Sequence, residues 1–334
     1  EARQGNYSLL SQRMQQRLEE TMNKGEQAMI LLNKRGYASF IKCESCGKPI
    51  RCPHCDVTLT YHKAENRLKC HLCEYFTSVP QVCPECGSTH LKKIGYGTQK
   101  IEEELEKKYP DARIIRFDFD TTRNKNTHLK LLKDFEEHKA DIMLGTQMIA
   151  KGLDFSNVTF VGVLMADLSL MVPDFRASER TFQLLCQVAG RSGRGDKQGT
   201  VLIQTFNPEH YAIKAAVKQD YEAFFKEEML FRKKAKYPPF CHLVSVIVQS
   251  RTPKNVHLTA LDISKCLKEH LEKVRVIGPQ PAFKMQDIYR ERILIKYIES
   301  KPIYEQLSLI DDYYNRTRKG GVIVACDFNP YSTY

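Results

Sequence analysis

Eight of the twelve cysteines lie between Cys43 and Cys86, as four CxxC pairs: Cys43/Cys46, Cys52/Cys55, Cys70/Cys73 and Cys83/Cys86. Nothing else in the sequence limits the fold so tightly. Two thiolates three positions apart can grip one tetrahedral ion across a tight turn, so each pair supplies half of a site and eight sulfurs make two Cys₄ sites. Such sites are closed and structural, with no open position for catalysis. Gly47 and Gly87 follow the second Cys of CESCG and CPECG, where a knuckle needs a permissive backbone. Three pairings of the knuckles are possible. The 14 residues DVTLTYHKAENRLK between the middle pairs suit a short hairpin. That favours one site from Cys52, Cys55, Cys70 and Cys73 and another from Cys43, Cys46, Cys83 and Cys86. This nested grouping also draws the ends of the segment together; sequential and cross-braced pairings are the alternatives. Two structural Zn²⁺ ions are therefore expected, as a staple for an insert of ~45 residues that has too little core of its own. His54, His62, His71 and His90 lie within or beside the segment, but with full tetrads available they are expected at the surface or facing nucleic acid.

A disulfide framework fits poorly, because such scaffolds are short and Cys-dense throughout. Here Cys186, Cys241, Cys266 and Cys326 are scattered through apolar or helical surroundings and read as ordinary thiols. Zinc in a reducing cytoplasm is the expectation. No stretch approaches the ~20 apolar residues of a membrane span, and residues 1–30 hold no apolar signal core. The chain begins with Glu rather than Met, and we read it as part of a longer protein.

Around the cysteines the pattern alternates. A helix-friendly run covers 8–24, a buried-strand pattern QAMILLN covers 27–33, and helices are expected over 98–108, 126–138 and 176–189. Apolar strands fall at 112–118, 140–146, 158–167 and 199–206. Apolar strands alternating with helices mean a parallel α/β sheet covered on both faces. The cysteine segment interrupts it, so the expected organisation is an α/β lobe over 1–42 and 91–207 with an inserted zinc module over 43–90. A helical linker over 208–236 and an α+β domain over 237–334, in the order β-α-β(β)-α-β, complete it.

The net charge is +11, and residues 210–334 hold 21 basic against 14 acidic side chains. That excess leaves nucleic acid or an anionic membrane as partner, and without an amphipathic anchor or lipidation motif nucleic acid is favoured. Lys284, Arg290, Arg292 and Lys296, interleaved with Tyr289 and Tyr297, are candidate DNA contacts: cations for phosphates, tyrosines for unpaired bases. Tyr61, His62, Lys63 and Arg67 of the zinc hairpin are further candidates at a fork.

Two segments suit phosphate chemistry. In DIMLGTQMIAKGLDF (141–155) a strand runs into a turn where Gly145 and Gly152 allow close backbone approach, with Thr146, Gln147 and Asp154 at the strand's C-terminal end. Ligands of open α/β sheets bind there. In QVAGRSGRG (187–195) Arg191 and Arg194 are three apart, and two guanidiniums beside small residues suit a polyphosphate. GTQMIAKGLDF followed by QVAGRSGRG resembles motifs V and VI of superfamily 2 helicases. Together with LLNKRGYA, the four CxxC pairs, PDFRASERTFQLLCQVAGRSGRG and YPPF, the sequence resembles the primosomal replication-restart DNA helicases over essentially its whole length, most tightly from 27 to 240.

The resemblance implies a RecA-like second helicase lobe in an ATP-dependent 3′-to-5′ DNA helicase that recognises stalled forks and D-loops and initiates primosome assembly. Gln187, Arg191 and Arg194 match motif VI, whose arginines meet the ATP phosphates; Arg194 would be the arginine finger. Gly152 and Asp154, with Thr146 and Gln147, match motif V, which couples nucleotide to DNA. The implied partners are single-stranded and branched DNA, primosome proteins and single-strand-binding protein, with no membrane, in a nucleoid-associated cytoplasmic setting. ATP and Mg²⁺ belong to the longer protein. No GxxxxGK[ST] occurs in the sequence, and no DExH or DExD box. A translocating ATPase needs both, so this chain alone is expected neither to hydrolyse ATP nor to unwind DNA. The alternative is a non-enzymatic nucleic-acid or protein interaction module built on a helicase-like lobe.

Overall fold

The computed structural model describes residues 8–32, 40–54, 58–62, 66–70, 73, 75–94, 98–118, 125–149, 155–191, 198–316 and 321–332. Along the chain, α1 (Gln12–Asn23) and β1 (Gln27–Leu32) precede the cysteine segment. That segment holds β2 (Phe40–Cys43), β3 (Thr60–His62), β4 (Arg67–Lys69), β5 (Phe76–Ser78) and β6 (Leu91–Ile94). Then come α2 (Thr98–Lys108), β7 (Ile114–Phe117), α3 (Lys125–Glu136), β8 (Ile142–Gly145), β9 (Val158–Leu164), α4 (Asp167–Leu170), α5 (Ala177–Ala189), β10 (Thr200–Ile203) and α6 (Tyr211–Lys218). After α7 (Tyr221–Ala235) the chain forms β11 (His242–Ser250), α8 (Pro253–His270), β12 (Arg275–Met285), β13 (Ile288–Tyr297), α9 (Ser300–Asp311) and β14 (Ile323–Phe328). Two compact units result: residues 1–38, 95–172 and 176–228, and residues 39–94, 173–175 and 229–334.

The sheet of the first unit runs β10-β9-β1-β8-β7, with every neighbour parallel. β1, β8 and β9 are buried along their whole length, as inner strands covered on both faces must be. Side chains alternate across the sheet. Ala28, Ile30 and Leu32 join Met14 and Leu18 of α1 and Ile101 of α2. Met29 and Leu31 join Phe135 of α3, Leu185 of α5 and Ile213 of α6 on the other face. Gly162 permits the close seating of α1: a Cβ there would lie 2.5 Å from the Met14 sulfur. Residues 208–228 do not act as the expected linker. Phe224 of α7 stacks on Phe182 of α5 at 4.3 Å between ring centres, and Phe224, Ala212 and Ile213 belong to the lobe's core. The apolar face of this segment seals the lobe.

In the second unit β2 and β6 pair antiparallel, with Cys43 opposite Leu91, so the cysteine segment is closed at its base. β3, β4 and β5 form a small antiparallel sheet. β3 and β4 are the expected hairpin; β5 is a three-residue strand with no periodicity to betray it. The module's core is little more than Ile41, Ile50, Leu59, Tyr61 and Leu68 beside Cys52 and Cys70, too small to stand without a staple.

The remaining sheet of this unit runs β12-β13-β11-β14, all antiparallel. Val244, Val246 and Val248 of β11 and Ile293 and Ile295 of β13 face α8 and α9. Strand β12 begins at Arg275 and includes Gly278, Pro279 and Pro281. Prolines read as breakers, but β12 is an edge strand, where a missing N–H costs no ladder bond. The register shifts between Ile277 and Gln280. Gly278 sits there at φ +104, and a Cβ on it would lie 2.7 Å from the Arg292 carbonyl oxygen.

Candidate metal centres and phosphate-facing residues

The sulfurs of Cys43, Cys46, Cys83 and Cys86 gather in one cluster, and those of Cys52, Cys70 and Cys73 in a second. Cys55, expected as the fourth ligand of the second cluster, lies outside the described residues. This is the nested grouping. Local backbone geometry builds the first cluster twice over. The Gly47 amide donates to the Cys43 carbonyl at 2.9 Å and the Gly87 amide to the Cys83 carbonyl at 2.8 Å. Both glycines are left-handed, at φ +74 and +73, so each knuckle closes as its twin does. Cys43 and Cys86 are 3.6 Å apart, Cys46 and Cys83 3.8 Å, and Cys52 and Cys73 3.6 Å. Tetrahedral zinc with Zn–S near 2.3 Å sets its sulfurs about 3.8 Å apart, so the four sulfurs of the first cluster and the Cys52–Cys73 pair of the second suit the ion. Among the described residues none of these cysteines forms a disulfide, and closed thiolate cages give zinc a structural role. Outside the module, burial pushes the Cys186 and Cys241 thiols up and the Cys326 thiol to about 11. They stay protonated and unreactive.

In the lobe, β8 ends at Gly145 and turns into Thr146 and Gln147, both half-buried. A Cβ on Gly145 would collide with the backbone oxygen of Phe117 and lie 2.7 Å from the Ile149 side chain. The turn is closed by the Ile149 amide donating to the Thr146 carbonyl at 3.1 Å. Gly152 and Asp154 lie outside the described residues. On α5, Gln187 is exposed and Val188 buried; the Arg191 amide donates to the Val188 carbonyl at 3.0 Å, just past the helix end. Gln187 and Arg191 are four apart. Arg194 lies outside the described residues. Ile149, Val188 and Arg191 line one small internal space with Met29, Leu31 and Val161. The turn after β8 and the end of α5 therefore meet on one face of the sheet.

A polar network at the end of β7 has no counterpart in the sequence reading. The Thr98 hydroxyl donates to Asp118 at 2.6 Å. Arg116 pairs with Glu102 at 2.7 Å and with Asp118 at 2.9 Å. Burial pushes the Glu102 carboxyl up, with Arg116 opposing. The alternation in RFD, which puts Arg116 of β7 and Asp118, just past the strand's end, on one side, was the available signal.

The candidate DNA contacts divide. Lys296 is 5% exposed. Its ammonium donates to the Ala235 carbonyl at 2.9 Å and sits 3.2 Å from the centre of the Tyr237 ring. Tyr237 stacks on Phe175 at 4.8 Å, and the Arg232 guanidinium lies 5.1 Å above Phe175. Lys296 is thus sealed into a cation–π stack, with burial holding its pKa down; it does not reach DNA from this position. Tyr297 is buried as well. Lys284 donates to the Pro53 carbonyl at 2.9 Å. Arg290 and Arg292 are half-buried on the sheet face opposite α8 and α9, Arg290 donating to Gln249 at 3.0 Å. Burial lowers the Arg292 pKa, opposed by Asp174. Tyr289 is 37% exposed, but strand alternation turns it away from Arg290 and Arg292. Among the described residues no helix is long and apolar enough to cross a membrane.

A parallel lobe whose post-strand turn meets a helix-end arginine, in a chain that also holds two cysteine clusters, is the arrangement that the C-terminal portion of a helicase with a zinc module calls for. The comparisons agree. Residues 90–196 match the helicase conserved C-terminal domain, 52–76 the PriA DNA helicase Cys-rich region (CRR) domain, and 233–331 the Primosomal protein N C-terminal domain. Replication restart protein PriA of Bacillus subtilis (strain 168) is 48% identical over 335 residues, covering 99% of this chain and 42% of that protein. Its counterpart from Chlamydia pneumoniae is 43% identical over 304 residues, covering 90% of this chain and 41% of the other. The chain belongs to the replication restart protein PriA family. It spans 42% of the length of the Bacillus relative. The C-terminal domain of the DEAD-box protein Dbp5 matches 64% of this chain and 88% of its own at 12% identity, with a TM-score of 0.31, too low to bear on function.

Proposed function

We propose that the chain supplies the second ATPase lobe, the zinc module and the branched-DNA-binding domain of an ATP-dependent DNA helicase of replication restart. The whole protein moves 3′ to 5′, acts on stalled forks and D-loops, and starts primosome assembly with single-strand-binding protein and primosome partners. The observation that carries the reading is the meeting of Ile149 and Arg191 on one sheet face. A binding module has no use for an arginine there; a phosphoryl-transfer site does, because charge develops on the transferred group. Arg191 and Arg194 stabilise that charge, Gln187 acts with them, and Thr146, Gln147, Gly152 and Asp154 relay nucleotide state to DNA. ATP and its Mg²⁺ are held chiefly by a first lobe that this sequence does not contain. Two zinc ions hold the cysteine module rigid.

Purified as it stands, the chain should bind DNA without DNA-stimulated ATP hydrolysis, whereas the longer protein that contains it should show both. Robust turnover by the chain alone would overturn the division of labour. The interaction-module reading draws on the missing Walker sequence and predicts no ATPase in the longer protein either.

A further inference from the structure

We propose that the turn between β12 and β13 is a working part of the second zinc site: Lys284 and Asp287 are positioning residues that hold the backbone at Pro53 and His54, next to the ligand Cys52. The proposal rests on the two-zinc reading above. A short zinc knuckle carries its ligands on a few residues of irregular backbone, and what fixes that backbone controls how tightly the ion is kept.

Three independent bonds fix it here, all from one turn. The Asp287 amide donates to the His54 carbonyl at 3.0 Å. The Asp287 carboxylate meets His54 Nδ1 at 2.7 Å. The Lys284 ammonium donates to the Pro53 carbonyl at 2.9 Å and lies 3.5 Å from the Asp287 carboxylate. Consecutive carbonyls of the knuckle, at Pro53 and His54, are thereby both taken up. Met285 packs against the module's small apolar core. Backbone conformation gives the turn its shape. Gln286 and Asp287 are both left-handed, at φ +52 and +60, the two-residue hairpin that places Lys284 and Asp287 on the same side. The first cluster is built differently, with its two glycine-closed knuckles matching each other. The two sites should therefore differ in how they lose zinc, and only the second should depend on the C-terminal domain. Lys284, a DNA contact by sequence, has its ammonium engaged within the fold.

The test is release of zinc from the intact chain to a chromogenic chelator, with total zinc counted beforehand. Asp287→Ala and Lys284→Met should each speed release of one equivalent about tenfold or more, the scale for losing a group that orients a ligand. The other equivalent should leave at the parental rate. Lys301→Met, on the exposed face of α9, should change neither. Parental rates for both equivalents in both variants would overturn the proposal. So would equal acceleration of both equivalents, since that reports general loosening of the module; far-UV circular dichroism of each variant reads such loosening directly. Fewer than two zinc ions in the parent would instead overturn the zinc reading.

Discussion

Under the proposed function, Arg290 and Arg292 are the residues left to carry DNA binding by the C-terminal domain. They lie two apart on β13, on the sheet face not covered by α8 and α9. Replacing both with Gln should lower the slope of log affinity against log salt by about 2, since each phosphate contact contributes roughly 0.9 for duplex DNA. A filter-binding or anisotropy titration across salt reads it, and an unchanged slope moves the interface elsewhere. Lys296→Met should leave that slope alone. Its cost is to stability, about 1–3 kcal/mol, because the Ala235 carbonyl loses its donor. Denaturant titration of the variant measures this; a variant as stable as the parent would mean the stack holds without its cation. The sequence shows why these lysines and arginines look alike: it displays charge and alternation. It does not display the lid over Lys296, because Phe175 and Tyr237 are far away in the chain and only folding stacks them. Asp287 was equally hidden, as one polar residue in a hairpin turn whose partner is His54. The cysteines were legible because the ligand spacing is itself local.

Among elements, the β1, β8 and β9 run of the sheet was readable from continuous apolar patterns, whereas β12 was concealed by the prolines an edge strand tolerates. The register of β7 against β8 depends on a polar clamp at their starts. Arg113 holds Asp141 through its Nε at 3.1 Å and its terminal nitrogen at 2.7 Å, and its amide adds a third bond at 2.8 Å. The clamp holds the Asp141 carboxyl below its ordinary 3.8. A lowered folded value means that the unfolded chain takes up the proton first. The clamp's contribution is therefore complete above the ordinary carboxylate range and is lost as pH falls from about 4 through the folded value. Arg113 is more than half exposed, so solvent screening keeps the effect small. Asp141→Asn should flatten the acid limb of stability against pH, read by denaturant midpoints between about pH 5 and pH 3. An unaltered acid limb would show that other carboxylates set it. The expected helical linker failed for a similar reason: charge at the end of α7 masks the aromatic face by which Phe224 joins the lobe's core.

For the whole molecule, the proposed function makes this chain one part of an active site that is completed by the rest of the longer protein. The lobe and the C-terminal domain each have a substantial core of their own, whereas the cysteine module has a small one that needs its staple. Class and family were legible because motifs V and VI and the CxxC pairs are contiguous runs. The clasp on the zinc knuckle was not, since it joins segments more than two hundred residues apart. The most direct measurement is DNA-stimulated ATP hydrolysis by the longer protein carrying Arg191→Ala or Arg194→Ala. The account predicts a fall in turnover of about a thousandfold or more with ATP still bound, the usual scale for an arginine finger. Turnover within about threefold of the parent in both variants, where a finger is worth about a thousandfold, would contradict it.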